Sequence, residues 1–248
     1  MHGQTTQASL SRNSSGLPDS AGIHLDVALQ LLRQAGYPDR LESAACEPRD
    51  LQEIIDALCE LSVHDALTGL GNARHFRSSL EREVDRVSRS GETALLLLID
   101  LDRFKSINDE HGHLAGDEVL RTVAKVLGEN IRPMDTAARH GGDEFAVILP
   151  NCPARVGCAI AERIRTEVSL AAVTLTDGTV LRATVTIGGA FIPVWQQITS
   201  AEVIARADQK LYSAKAAGRN NVSIEMPEAS CVSNDEKHFL FDTLKQQS

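Results

Sequence analysis

The feature that most constrains this chain is the unbroken aliphatic run Ala94–Ile99, which stops at Asp100. Such a run is strand-sized and far short of the roughly 20 apolar residues that cross a bilayer. A strand apolar on both faces needs cover on both. An acid at its end lies at the sheet rim, where α/β folds bind ligands. The surrounding text alternates in period. Helices are expected from Ala73 through Ser88, over Ala115–Asn130, over Ala154–Ser169 and over Ala201–Ala217, the last closed by Gly218. Strands are expected over Thr93–Asp100, Asp135–His140, Glu144–Leu149 and Leu181–Phe191, with a last edge strand at Asn221–Ile224. Gly141 and Gly142 separate two of these strands and read as a hairpin. Helices alternating with strands, one pair antiparallel, imply an α/β (α+β) domain with a mixed sheet and helices on its faces.

Before residue 62 the text is thinner. Residues 1–20 read as a disordered leader, rich in Ser, Gln, Asn and Thr and without the apolar stretch of a signal peptide. Residues 21–61 read as a short helical segment. Its second helix starts at Asp50, whose carboxylate caps while Glu53 returns the bond. Leu51, Ile54, Ile55, Leu58 and Leu61 form one stripe. The stripe either packs on its own domain or pairs with a second chain. The tail, residues 227–248, is polar and expected to be flexible.

The 248 residues suffice for one well-cored domain plus flanking segments. A formal net charge of -9 argues against long nucleic acid, which needs a basic face, but leaves nucleotides open. Five cysteines with no Cys-x-x-Cys pair suit reduced thiols better than disulfides or zinc. A cytoplasmic protein with no membrane span is expected.

The acids carry the chemistry. Asp100 ends the buried strand, and alternation sends Asp102 to the same face and Leu101 to the other. An acid at a strand end is often only a cap, and acids at a turn tip are usually only solvated. If the Asp143–Glu144 tip abuts Asp100, however, three carboxylates converge, which is costly without a cation. An all-oxygen set suits Mg²⁺ or Mn²⁺. The spacing of His111, His113 and His140 does not gather them for zinc. The paired glycines Gly141 and Gly142 allow a ligand to approach the backbone.

Together these residues form one collinear pattern. Asp65-x-Leu67-Thr68-Gly69-Leu70-x-Asn72 is followed by Asp100-Leu101-Asp102-x-Phe104-Lys105-x-Ile107-Asn108-Asp109. Gly112-His113-x-x-Gly116-Asp117 and Arg139-x-Gly141-Gly142-Asp143-Glu144-Phe145 come next, and then Ala207-Asp208-x-x-Leu211-Tyr212-x-Ala214-Lys215-x-x-Gly218-Arg219-Asn220. Over about residues 62 to 225 this strongly resembles the GGDEF family of diguanylate cyclases. The resemblance implies a five-stranded sheet wrapped by helices, akin to adenylate cyclases and polymerase palm domains, for a domain at 62–226. It implies a metal-dependent, homodimeric enzyme that condenses two GTP into cyclic di-GMP. Asp100, the Leu101 carbonyl, Asp143 and Glu144 would hold Mg²⁺ or Mn²⁺, with Asp143 or Glu144 accepting the proton. Asn108 and Asp117 would read guanine, since a carboxylate can accept from both guanine N1–H and its amino group. His113 would be a further substrate contact, and Gly141 and Gly142 would give clearance. Lys105, Lys215 and Arg219 would face phosphates. Arg132 and Asp135 stand at the spacing of the family's product-inhibition site, although a surface ion pair would explain an isolated Arg-x-x-Asp. Individually each residue also has a plain structural reading as a cap or a solvated helix position. Ala73 and His140 depart from residues common in the family. A module that senses GTP or cyclic di-GMP without catalysis is the alternative.

Overall fold

The computed structural model describes residues 63–176, 178–194 and 197–226, with isolated positions at 30, 32, 33, 54–56 and 58. The chain divides into two units, Met1–Leu58 and Cys59–Ser248. In the first, every described position is helical, Leu32 and Ile54 are buried, and Ile55 is 52% exposed. The leader, the Asp50 cap, Leu51, Leu61 and the tail after Met226 lie outside the described residues.

The second unit is built on a five-stranded mixed sheet. Its elements are α1 (Ala73–Ser90), β1 (Ala94–Leu101), α2 (Phe104–His111), α3 (His113–Asn130), β2 (Thr136–Arg139), β3 (Glu144–Leu149), α4 (Ala154–Leu170), β4 (Val173–Thr174), β5 (Val180–Leu181), β6 (Val185–Ile192), α5 (Ser200–Ala216) and β7 (Val222–Glu225). The strand order is β2-β3-β1-β6-β7, with β4 and β5 forming a separate two-stranded ribbon. Only β7 runs parallel to its neighbour within the main sheet.

The aliphatic run holds the centre. Along β1, Leu95, Leu97, Ile99 and Leu101 face one way and join a core with Val119, Leu120 and Val123 of α3 and Ile160 and Ile164 of α4. Ala94, Leu96 and Leu98 face the other way, toward Phe76 and Leu80 of α1 and Val203, Ala207 and Leu211 of α5. Period-2 alternation thus divides one strand between two cores, each closed by a helix pair. Helix starts are specified locally. Asn72 caps α1 by accepting from the N–H groups of Arg74 and His75, both at 3.0 Å. Thr199 and Glu202 form a reciprocal capping box on α5.

One sequence expectation is corrected. The strand expected over Leu181–Phe191 is two strands, because the chain leaves the ladder at Arg182–Thr184. There the Thr184 carbonyl accepts from the Asp102 N–H at 2.9 Å and its hydroxyl donates to the Asp102 carboxylate at 2.7 Å. Helix α2 has no counterpart among the helices expected from the sequence, and none of its residues is buried.

Candidate active site

The register of β1 against β3 builds the acid cluster. Asp100 lies directly opposite Glu144, and the Leu101 N–H donates to the Asp143 carbonyl at 3.1 Å. The turn between β2 and β3 closes on Glu144, whose carbonyl accepts from the N–H groups of His140 at 2.8 Å and Gly141 at 3.2 Å. Neither motif glycine uses the left-handed backbone; space is what they provide. A Cβ on Gly141 would stand 2.6 Å from Glu144 Oε2, whereas one on Gly142 would meet nothing within 4 Å. Gly142 therefore leaves an open approach beside the acids.

The Asp100 side chain is 15% exposed. Burial pushes its carboxyl above the ordinary range and the charges of Asp143 and Glu144 push the same way, while the Lys215 ammonium opposes them from 2.7 Å. Asp143 is half-buried and Glu144 exposed. Among the described residues no set of three or more His, Cys, Asp or Glu is gathered tightly enough to hold a metal. Lys215, placed on the phosphate side by resemblance, is the cation that meets Asp100 here. The donors still suit a hard divalent ion, because they are all oxygen and three carboxylates meet at one strand end.

A second cluster lies on α2 and α3. Asn108 Oδ1 is buried with no hydrogen-bond partner, a costly state for a polar atom unless a ligand completes it. It occupies the space a side chain at position 116 would fill, since a Cβ on Gly116 would stand 2.0 Å from it. Asp117, half-buried, follows Gly116 on α3. His113 opens α3 and is exposed, as are Lys105 on α2 and Arg219 after α5. At the other candidate site, the Arg132 N–H donates to Asp135 Oδ2 at 2.7 Å and the Arg132 carbonyl accepts from the Asp135 N–H at 2.9 Å. Arg132 itself is exposed, and burial raises the Asp135 carboxyl despite the Arg132 N–H and charge.

Two positioning groups carried no role in the sequence reading. Arg139 donates to the Gly142 carbonyl through Nη2 at 2.7 Å and reaches Asp65 through Nη1 at 3.3 Å. Asp65 in turn accepts from the Thr68 N–H at 2.9 Å and hydroxyl at 2.6 Å. Burial alone would raise the Asp65 carboxyl, but Thr68 and Arg139 outweigh it and hold it below its ordinary value. This chain of contacts fixes the motif turn to the loop before α1. Asp102 is the other group: 8% exposed, it accepts from the hydroxyls of Thr184 (2.7 Å) and Thr186 (2.6 Å) and from the Asn220 N–H (2.9 Å). It locks the loop after α5 to the end of β1. The only sequence signal for either was membership in the collinear pattern.

The arrangement has known counterparts. The family described as diguanylate cyclase, GGDEF domain, matches residues 62–221. The response regulator PleD of Caulobacter vibrioides is 42% identical over 173 residues, which are 69% of this chain and 38% of that protein. Diguanylate cyclase A of Treponema denticola is 39% identical over 170 residues, 67% of this chain and 45% of that protein. The chain thus spans less than half the length of these relatives. Among solved structures, the GGDEF domain of DgcB from Caulobacter crescentus, in complex with c-di-GMP, aligns with a TM-score of 0.62 at 37% identity, covering 66% of this chain and 93% of that one. On these matches, and on a sheet that agrees with them, the chain belongs to the GGDEF domain family of diguanylate cyclases.

Proposed function

We propose that this chain is an active diguanylate cyclase that condenses two GTP into cyclic di-GMP. The observation that carries the reading is the partnerless Asn108 Oδ1 beside Gly116 and Asp117, in a domain whose rim also bears three acids. Asn108 and Asp117 bind one guanine by its polar edge. Adenine cannot satisfy the same pair, so selectivity comes from the group left unpaired. Lys105, Lys215 and Arg219 orient the triphosphate, with His113 as a further contact. Asp100, the Leu101 carbonyl, Asp143 and Glu144 are the groups that would hold Mg²⁺ or Mn²⁺. When bound, such an ion lowers the pKa of a 3′-hydroxyl and stabilises charge on the phosphate under attack.

The hydroxyl oxygen of one GTP bonds to the α-phosphorus of the other, the bond to the β-phosphate oxygen breaks, and pyrophosphate leaves with that electron pair. Asp143 or Glu144 takes the hydroxyl proton. Two such steps close the ring and release two pyrophosphates. Each domain holds one GTP, so two domains face each other as a homodimer. Arg132 and Asp135 bind the product and restrain the enzyme, arginine being suited both to grip phosphate and to stack on guanine.

The Asp100–Lys215 ion pair favours a second reading, a nucleotide-sensing module in which that acid is occupied by the protein's own cation. Asp143→Asn separates the two. The cyclase reading expects the variant to fold and bind GTP while cyclic di-GMP formation drops at least about a hundredfold; undiminished turnover removes Asp143 from its role. GTP binding by the wild type without any cyclic product supports the sensing module instead.

A further inference from the structure

A cavity of about 520 Å³ lies beside α2, lined among others by Arg103, Glu110, His111, Arg182, Arg219 and Asn220. Asn108 is not among the residues that line it. Three arginines line it from three segments: the start of α2, the β5–β6 connection and the loop after α5. Among the described residues none of their guanidiniums has an ion-pair or hydrogen-bond partner.

Two acids also line the cavity, so three guanidiniums outnumber two carboxylates there. Both oxygens of Asp102 are taken, Oδ1 by Thr186 and Oδ2 by Thr184 and the Asn220 N–H. Glu110 faces His111 at 3.8 Å. The backbone is also unusual. Arg103 (φ 55), Arg219 (φ 63) and Asn220 (φ 41) hold the left-handed conformation, and among the described residues Asn151 alone shares it without being glycine. Strain of this kind persists where surrounding bonds over-determine it, and it gathers at ligand sites. Here Asp102 holds the Asn220 N–H and the Ala214 carbonyl accepts from the Arg219 N–H at 3.4 Å.

We propose that this cavity is a pyrophosphate site, adjoining the reaction centre and reached through Arg219. The proposal rests on the cyclase reading for the origin of the ligand. Guanidinium forks match phosphate oxygens, and no Phe, Tyr or Trp lines the cavity to stack a base. Pyrophosphate is released beside Lys215, four residues before Arg219, and transfer to Arg103 and Arg182 clears the triphosphate position. Pyrophosphate held there occupies Arg219 and so opposes the next GTP.

The test is calorimetric titration of inorganic pyrophosphate into the full chain in EDTA, which needs no turnover and so succeeds or fails apart from the cyclase reading. The variants are Arg182→Ala and Arg103→Asn, asparagine being tolerant of the left-handed backbone. Each is expected to weaken binding at least about tenfold, as befits hydrogen bonds to charged groups. Lys125→Ala, an exposed α3 position outside the cavity lining, is expected to bind as the wild type does. Absence of binding by the wild type, either arginine variant binding as tightly as the wild type, or an equal loss in Lys125→Ala overturns the proposal.

Discussion

Asp65 stands 74 residues before Arg139, yet the two side chains and Thr68 decide where the motif turn sits. Asp65→Asn keeps the shape and removes the charge. It is expected to cost about 1–3 kcal/mol at neutral pH, the usual range for weakening hydrogen bonds to a part-buried charged group. The sign of its pH dependence follows from the carboxyl being held below its ordinary value. Its stabilisation is fully present above the unfolded-state pKa and disappears as pH falls through the lower folded value. Urea denaturation of both proteins across that range checks this: the gap should close in acid, and a pH-independent gap would assign Asp65 a purely steric role. Asp65 and Arg139 are visible in the sequence as motif letters. Their contact is not, because nothing local pairs residues so far apart. Asp102 is the same case, since its two threonine partners lie 82 and 84 residues away.

Among the elements, β1 was the most legible, because an aliphatic run closed by an acid leaves few alternatives to a central strand. Helix α2 was the least legible: with no buried residue it shows no apolar stripe, although it carries Asn108 and Lys105. The β5–β6 break was hidden because Arg182–Thr184 continues a strand-like composition, and only Asp102 pulls it out of the ladder. Close packing of α5 on β6 was hidden too. A Cβ on Gly188 would lie 2.2 Å from the Leu211 nitrogen and 2.5 Å from the Ala207 carbonyl oxygen, both backbone atoms. Backbone cannot swing aside as a side-chain tip can, so Gly188→Ala is expected to destabilise by about 1–3 kcal/mol. In a domain of this size that lowers the melting temperature by roughly 2–4 °C per kcal/mol. An unchanged melting curve would mean that α5 slides freely on the sheet. Because α5 carries Lys215, such freedom would also loosen the site.

At the scale of the whole molecule, the family membership and the central sheet were legible because five separated blocks fall in register, and no one block would have sufficed. The helical stripe before residue 62 remains a proposal as a pairing surface. No helix among the described residues is long and apolar enough to cross a membrane. The proposed control by product would act by holding domains apart. Arg132→Ala is expected to leave initial GTP turnover near the wild-type rate and to raise the cyclic di-GMP concentration needed for half inhibition at least about tenfold. Equal inhibition of both proteins would remove the Arg132–Asp135 site.

Condensation of two GTP is read out by chromatography with mass detection of the product formed from GTP and Mg²⁺. The expected result is cyclic di-GMP with two pyrophosphates per product, and no corresponding product from ATP. Absence of cyclic di-GMP at every protein concentration, or hydrolysis of GTP to GDP in its place, would contradict it.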